Sequence, residues 1–338
     1  MDWFERLTGF REAGYDKTRR QLVVNGKQLR SLVNGQSYGI GELELVSLQT
    51  LRERMATIGD LPGRLKVSVV TGDVRELHQA SANSGALFQV ASQFNLLEMV
   101  SPSVTPEHGV TGYEEDGTQG PACAIAAGAA TIYRNYFVPV CGGLGQTKDR
   151  QLDGLADVGA ALVDALGRPL EALWNMQNGY AMCTCSGLEA ISSCLESLSE
   201  EDADALGGKL RIGVHWDVEV TDADGPDRPR VSQAFCSALP VAYGNVRPKD
   251  RWASFACLIL GAAYEATMWA AVLNAKRGGS NVVLLTRLGG GVFGNCDKWI
   301  DAAMRRALQK ARAFDLNVKI VCYGSPSPAM MQMARAFQ

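Results

Sequence analysis

Hydrophobic and polar positions change period several times along the chain, and each change marks an expected element. Residues 41–56, GELELVSLQTLRERMA, carry Leu and Val at helical intervals. With the charged opening, this predicts a helical N-terminal extension over residues 1–60, followed by the main domain over 61–338. The segment from Leu65 to Asp73, LKVSVVTGD, is β-branched and apolar and stops at Gly-Asp, as a buried strand does on meeting a loop. From Ser81 to Arg150 the chain is rich in Gly, Ser, Ala and Pro, punctuated by SPSVTPEHG, EEDGTQGP and CGGLGQ. An irregular stretch this long inside a compact domain is usually functional. Leu152–Leu166 and Gly187–Leu198 read as helices, the first stopped by Gly167 and Pro169. KLRIGVHWDVEV, Lys209 to Val220, reads as one strand or as two interrupted at Gly213, and an acidic loop follows to Arg230.

The last third has the clearest pattern. A helix over Arg251–Ala275, a strand over Asn281–Thr286, a loop over Arg287–Asn295, a helix over Asp297–Phe314 and a strand over Val318–Tyr323 follow one another. Such alternation implies parallel strands joined by right-handed crossovers, hence an α/β fold. The longest apolar segment, Trp252 to Leu273, is interrupted by Ser254, Glu265 and Thr267, so it is expected as a buried helix and not as a membrane span.

Composition narrows the function classes. The 338 residues hold 46% hydrophobic and 20% charged positions, inside the globular range. A formal net charge of −3 offers no general electrostatic grip on nucleic acid or on an anionic membrane. The opening MDWFERLTGFREAG has no apolar run beside a basic stretch, so no secretory signal and a cytoplasmic location are expected. The nine cysteines are odd in number, scattered and set mostly among apolar or small residues, which predicts reduced, buried thiols. Cys183 and Cys185 have no second pair at metal spacing and only His78, His108 and His215 exist elsewhere. No metal site and no cofactor are expected.

Three segments combine residue types that could carry chemistry. In RLGGGVFGN, Arg287 to Asn295, the run Gly289, Gly290, Gly291, Val292, Phe293, Gly294, Asn295 lies between an apolar strand and an amphipathic helix. Glycines let the backbone approach a ligand closely and the helix start offers free N–H groups, so the loop suits a phosphate; a purely steric turn is the alternative. It has neither the Lys-Ser/Thr ending of a P-loop nor dinucleotide spacing. In HWDVEVT, alternation would place His215, Asp217, Glu219 and Thr221 on one strand face. Two carboxylates about 7 Å apart there could activate a water, or simply face solvent. The segment Ala91 to Tyr136 holds Gln93, Asn95, Glu98, Glu107, Asp116 and Gln119 among small residues. Amides read sugar hydroxyls well, and carboxylates suit cleavage through a positively charged sugar. Glu114 and Glu115 read as solvated loop charges. Asp73, beside Val74, is placed to accept from an exocyclic amine or to cap a helix over Val74–Gln79. Tyr323 ends the last strand, where it could flank a base or pack in the core.

Taken in order, VVTGDV (Val69 to Val74), ASQFNLLE (Ala91 to Glu98), TQGPACAIAAGAATIYRNY (Thr118 to Tyr136), SQAFCSALPVAYG (Ser232 to Gly244) and LTRLGGGVFGN (Leu285 to Asn295) resemble the divergent macrodomain ADP-ribosylhydrolases of the MavL type. The last motif also resembles poly(ADP-ribose) glycohydrolases. The resemblance implies a macrodomain-like three-layer α/β/α fold with a mixed, mostly parallel central sheet. It also implies that Asp73 holds the adenine amine, that the Gly289–Asn295 loop wraps the pyrophosphate, and that Asn95 faces the distal ribose. Two family strings are absent: SQFN replaces Asn-Ala-Ala-Asn, and Asn295, Cys296, Asp297 and Lys298 replace the Gln-Glu-Glu after the glycine loop. The expected activity is hydrolytic removal of ADP-ribose from a modified protein side chain at the anomeric carbon of the distal ribose. MavL-type enzymes direct that expectation to arginine, including that of ubiquitin. Asp217 and Glu219 are the expected acidic pair, with Glu98 or Asp116 orienting water. A reader that binds ADP-ribose without cleaving it, and a hydrolase of NAD or of an ADP-ribose ester, are the alternatives.

Overall fold

The computed structural model describes residues 1–58 and 61–337. The N-terminal segment holds α1 (Trp3–Thr8), α2 (Tyr15–Arg19), a small antiparallel sheet of β1 (Leu22–Asn25), β2 (Gln28–Ser31) and β3 (Ser37–Gly39), then β4 (Glu42–Ser47) and α3 (Leu48–Ile58). Next come β5 (Lys66–Thr71), α4 (Val74–Gln79), β6 (Leu87–Ala91), α5 (Gln119–Ala126), α6 (Gly128–Tyr136) and the short ladder β7 (Pro139–Val140) with β8 (Gly143–Leu144). They are followed by α7 (Ala156–Leu166), α8 (Leu170–Leu173), the hairpin β9 (Trp174–Gln177) with β10 (Tyr180–Cys183), α9 (Cys185–Ser197) and α10 (Glu200–Gly208). The chain ends through β11 (Arg211–Glu219), β12 (Arg230–Cys236), α11 (Ala253–Lys276), β13 (Val282–Leu285), α12 (Asp297–Lys310), β14 (Asn317–Cys322) and α13 (Pro328–Arg335).

Seven strands form the central sheet in the order β4-β11-β12-β6-β13-β14-β5. The pairs from β12 to β5 are parallel, while β11 runs antiparallel to both its neighbours. Alternate residues of each strand enter different cores, as the pleat requires. Leu87, Ala234, Cys236, Val283 and Leu285 pack with α3, α11 and α12. Phe88, Val90, Phe235 and Leu284 pack with residues of α4, α5 and α6, including Val74, Cys123 and Ala130, and with Ala127 between α5 and α6. The result is an α/β/α sandwich around a mixed, mostly parallel sheet, as the resemblance implies. A third cluster, from Trp3, Phe4 and Leu7 to Ile125, Ile132 and Tyr136, lays the N-terminal segment over the outer side of α5 and α6.

Several local expectations are corrected. Residues 1–58 are not all helical, because Glu42-Leu43-Glu44-Leu45 alternates with period two and pairs with β11 as an edge strand before α3 begins. The boundary expected at residues 59–60 and the terminal Gln338 lie outside the described residues. The stretch expected to be irregular contains β6, α5 and α6. Six of the eight residues of α5 and eight of the nine of α6 are buried, and a helix buried nearly all round leaves no amphipathic period to read. α11 has the length and hydropathy to cross a membrane, but its faces are packed inside the protein. All nine cysteines are free, yet Cys141, Cys185, Cys257 and Cys296 are exposed, contrary to the expected burial.

Candidate functional site

Parallel strands bring their carboxyl ends to one edge of the sheet, and there the chain builds a cleft. β5 delivers Gly72 and Asp73, β6 delivers Ser92 and Gln93, β12 delivers Ala238, β13 delivers Thr286 and Arg287, and β14 delivers Tyr323. Two cavities of 480 and 450 Å³ share Asp116, Gly117, Thr118, Gln119, Thr286 and Arg287 as common walls. Together they form one elongated cleft with two lobes.

The first lobe holds Asp73, Val74 and Tyr323. Asp73 caps α4, its Oδ1 accepting from the Arg75 amide at 2.8 Å, as the capping expectation has it, and it also lines this lobe. Tyr323 is 86% exposed and stands on the rim, outside the core.

Two segments carry main-chain amides along the cleft: the start of α5, shared by both lobes, and a loop in the second lobe. α5 begins at Gln119 with no side-chain cap on its first turn, and among the described residues the Gln119 and Gly120 N–H groups have no acceptor, at the positive end of the helix dipole. The Gln119 side chain accepts from the Ala91 amide at 2.8 Å and donates to the Gln89 carbonyl at 2.8 Å, tying α5 to the end of β6. A Cβ on Gly120 would overlap the Ala91 carbonyl oxygen and press on Glu98 Cγ. Only glycine allows this approach.

Opposite α5 lies the glycine loop. Gly289 and Gly294 adopt φ of +72° and +70°, a conformation open mainly to glycine. The Asn295 amide donates to the Gly289 carbonyl at 2.9 Å and its Nδ2 donates to the Leu239 carbonyl at 2.8 Å, closing the loop. Gly290, Gly294 and Asn295 therefore shape the loop from behind, while Gly289, Gly291, Val292 and Phe293 line the cleft. Among the described residues, the N–H groups of Gly291, Val292 and Phe293 have no acceptor within the chain. The free amides expected at the start of α12 are supplied instead by this loop and by α5. Arg287, where the lobes meet, is held by Asp297 at 2.7 Å and by Asp301, which fastens the loop to α12.

The second lobe has a wall of aromatic rings and a carboxyl in its floor. Tyr180, Tyr243 and Phe293 pack with centroid distances of 5.2–5.7 Å. Gln93 lines the lobe and is immobilised by the Met99 amide, which donates to its Oε1 at 2.9 Å. Glu98 lies in the floor at 2% exposure. Its Oε2 is 3.5 Å from Arg134 Nη2, and its Oε1 has no hydrogen-bond partner among the described residues. An unpaired buried carboxyl oxygen costs about 1–3 kcal/mol. Burial dominates over the Arg134 charge and pushes the Glu98 carboxyl up to about 8. Asp116 lines both lobes and accepts from the Thr118 amide at 2.9 Å. Two carboxyl groups in different surroundings thus face one cleft, an arrangement that suits paired proton transfers.

Three predicted site residues are not brought here. Asp217 and Glu219 lie at the opposite edge of the sheet, beside Arg230 at the start of β12. Because β11 runs against its neighbours, roughly 20 Å of strand separates them from the cleft, at ~3.3 Å per residue. A β-bulge between His215 and Val218 also breaks the expected alternation, burying His215 completely and turning Asp217 out at φ +53°. Asp217 pairs with Arg230 at 2.9 Å and Glu219 with Arg228 at 3.2 Å. Asn95 is fully buried, its Nδ2 donating to Gln151 at 2.8 Å and its Oδ1 accepting from the Leu97 amide at 3.1 Å, and it does not line the cleft. Sequence reasoning missed Tyr180, Tyr243, Arg134 and the close approach at Gly120. Tyr180 had a legible signal: it follows Asn178-Gly179, both at positive φ in the two-residue turn of the β9–β10 hairpin.

No family model matches the chain, and no curated protein matches it. Among solved structures it is similar to poly(ADP-ribose) glycohydrolase from Deinococcus radiodurans in complex with ADP-ribose, at 14% identity and a TM-score of 0.45, over 87% of this chain and 92% of that one. It is also similar to poly(ADP-ribose) glycohydrolase from Thermomonospora curvata, at 13% identity and a TM-score of 0.44, over 94% and 93%. The Thermomonospora curvata protein bound to the inhibitor ADP-HPD gives 12% identity and a TM-score of 0.42, over 94% of each chain.

Proposed function

We propose that the protein is a hydrolase that seats an ADP-ribose unit along the cleft and releases it from a modified protein side chain by cleaving the bond at the anomeric carbon of the distal ribose. The adenine would lie by Asp73 and Tyr323, and the diphosphate against the amides of α5 and of Gly291–Phe293. The distal ribose would sit over Glu98. The observation that carries this reading is the buried, half-unpaired Glu98 carboxyl in the floor of the second lobe, beside amides that line the same cleft. Burial keeps that carboxyl protonated at neutral pH. As the glycosidic bond breaks, its electron pair passes to the leaving nitrogen, which takes the Glu98 proton. Water adds to the cationic ribose carbon while Asp116 receives the water's proton.

The leaving group we propose is arginine. Glu115 stands on the wall of the same lobe, and the two oxygens of one carboxylate match the planar donors of a guanidinium. The MavL-type motifs extend this proposal to ADP-ribosylated ubiquitin. The test is release of free ADP-ribose from ADP-ribosyl-arginine protein, followed by chromatography. Wild type should release it and Glu98→Gln should bind without release; equal turnover by both proteins would overturn the assignment of Glu98. One observation favours the reader as a second reading: the acidic strand face of Asp217 and Glu219 lies away from the cleft. Saturable binding by wild type with no turnover on any linkage would establish it.

A further inference from the structure

Behind Glu98 lies a charged group that makes no contact with the cleft. Arg134, on α6, has no exposed surface. Its Nε donates to the Leu96 carbonyl at 3.1 Å and its Nη2 donates to Thr131 Oγ1 at 3.0 Å. The same Nη2 is 3.5 Å from Glu98 Oε2, and the guanidinium lies 3.9 Å from the centre of the Phe235 ring. Nη1 has no partner.

Leu96 is at φ +63°, a region leucine occupies only when its surroundings hold it there. That turn swings the chain from the end of β6 back to Glu98. Arg134 grips the carbonyl of the strained residue with one nitrogen and faces the carboxyl two residues later with another. A guanidinium fork can serve both points at once because its donors are rigid and planar.

We propose that Arg134 is a positioning residue for Glu98, fixing the turn that aims the carboxyl and supplying the positive charge that lets it ionise in an apolar floor. The inference rests on the assignment of Glu98 as the proton donor. A carboxyl buried with no cation would keep its proton through a catalytic cycle, whereas an acid must release the proton and recover it. Arg134 pulls the Glu98 carboxyl down against the upward push of burial.

The other titratable groups turned toward this pair do not change charge near neutrality. Burial pushes the Tyr113 phenol and the Cys123 thiol well above their ordinary values. Burial and the Arg134 charge hold His215, across from Arg134 on β11, well below its own. Asp116 and Glu115 line the same lobe, so the Glu98 titration is isolated by comparison with Glu98→Gln.

The test compares wild type, Arg134→Lys and Arg134→Gln by two readouts: the pH profile of turnover on ADP-ribosyl protein, and the infrared carbonyl band of protonated Glu98, isolated by subtracting Glu98→Gln. Removing the charge in Arg134→Gln should move the alkaline limb and the loss of the carbonyl band upward by about one pH unit or more. Its kcat should fall roughly tenfold or more with little change in KM. Arg134→Lys should keep the limb near its wild-type position and lose part of kcat, because the lysine restores charge but not the fork. A folded Arg134→Gln variant with the wild-type limb and band would overturn the proposal. If that variant does not fold, Arg134→Lys decides, and wild-type kcat in it overturns the positioning role. A wild type that neither binds nor cleaves ADP-ribosyl substrates would instead refute the functional reading, while the infrared titration still tests the hold of Arg134 on Glu98.

Discussion

Replacing Glu98 with Gln makes a stability prediction that does not depend on substrate. Burial raises the carboxyl from 4.5 to about 8, so the folded chain binds this proton more tightly than the unfolded chain. Below the unfolded value both states are protonated and the native state keeps its full stability. As pH rises past that value the unfolded state ionises first, and stability declines until the folded carboxyl ionises as well. At ~1.4 kcal/mol per unit, wild type should lose roughly 4 kcal/mol between about pH 5 and about pH 9 through this group alone. Glu98→Gln cannot ionise and lacks that slope. It carries instead an offset independent of pH, because the amide changes the contact with Arg134. Urea unfolding of both proteins across this range reads the difference. The gap between them should shift in favour of the variant as pH rises, and two parallel curves would refute the claim that Glu98 is held protonated.

Three further predictions bear on other parts of the account. Tyr323→Ala should leave the melting temperature unchanged, because the ring is exposed, and should weaken ADP-ribose binding by ~1–2 kcal/mol through lost stacking on the base, read by calorimetry. Asp217→Asn should leave turnover within about twofold and cost under ~1 kcal/mol of stability, because Asp217 lies at the far edge of the sheet in an exposed ion pair; a tenfold loss in kcat would return this residue to the mechanism. Gly120→Ala should lower stability by ~1–3 kcal/mol in thermal melts, although alanine ordinarily favours a helix, because its Cβ meets the Ala91 carbonyl.

What the sequence made legible was what one period or one glycine cluster could encode. The β13–α12–β14 alternation, the glycine loop and the Gly72-Asp73 strand end all stand where the pattern put them. The failures have physical causes. α5 and α6 are buried on nearly every side, so the small residues that let α5 reach Ala91 and Glu98 read as irregular text. In β4, a strand alternation running directly into α3 imitated one continuous helix. The acidic pair of β11 was misplaced for two reasons: strand direction is a property of the whole sheet, and the bulge at Asp217 leaves no mark in a hydrophobic pattern. Arg134 is 36 residues from Glu98 in the chain, and nothing local marks a buried arginine as the partner of a distant carboxyl.

The central claim is that a diphosphate is held by bare amides along the cleft, and Gly291 offers the most direct test. A Cβ on Gly291 would meet nothing within 4 Å, so Gly291→Leu should fold normally while its side chain occupies the part of the cleft that the ligand needs. Calorimetric titration of ADP-ribose should give saturable heat with wild type and none with a Gly291→Leu variant of equal melting temperature. Absence of heat with wild type, or equal binding by both proteins, would contradict the account.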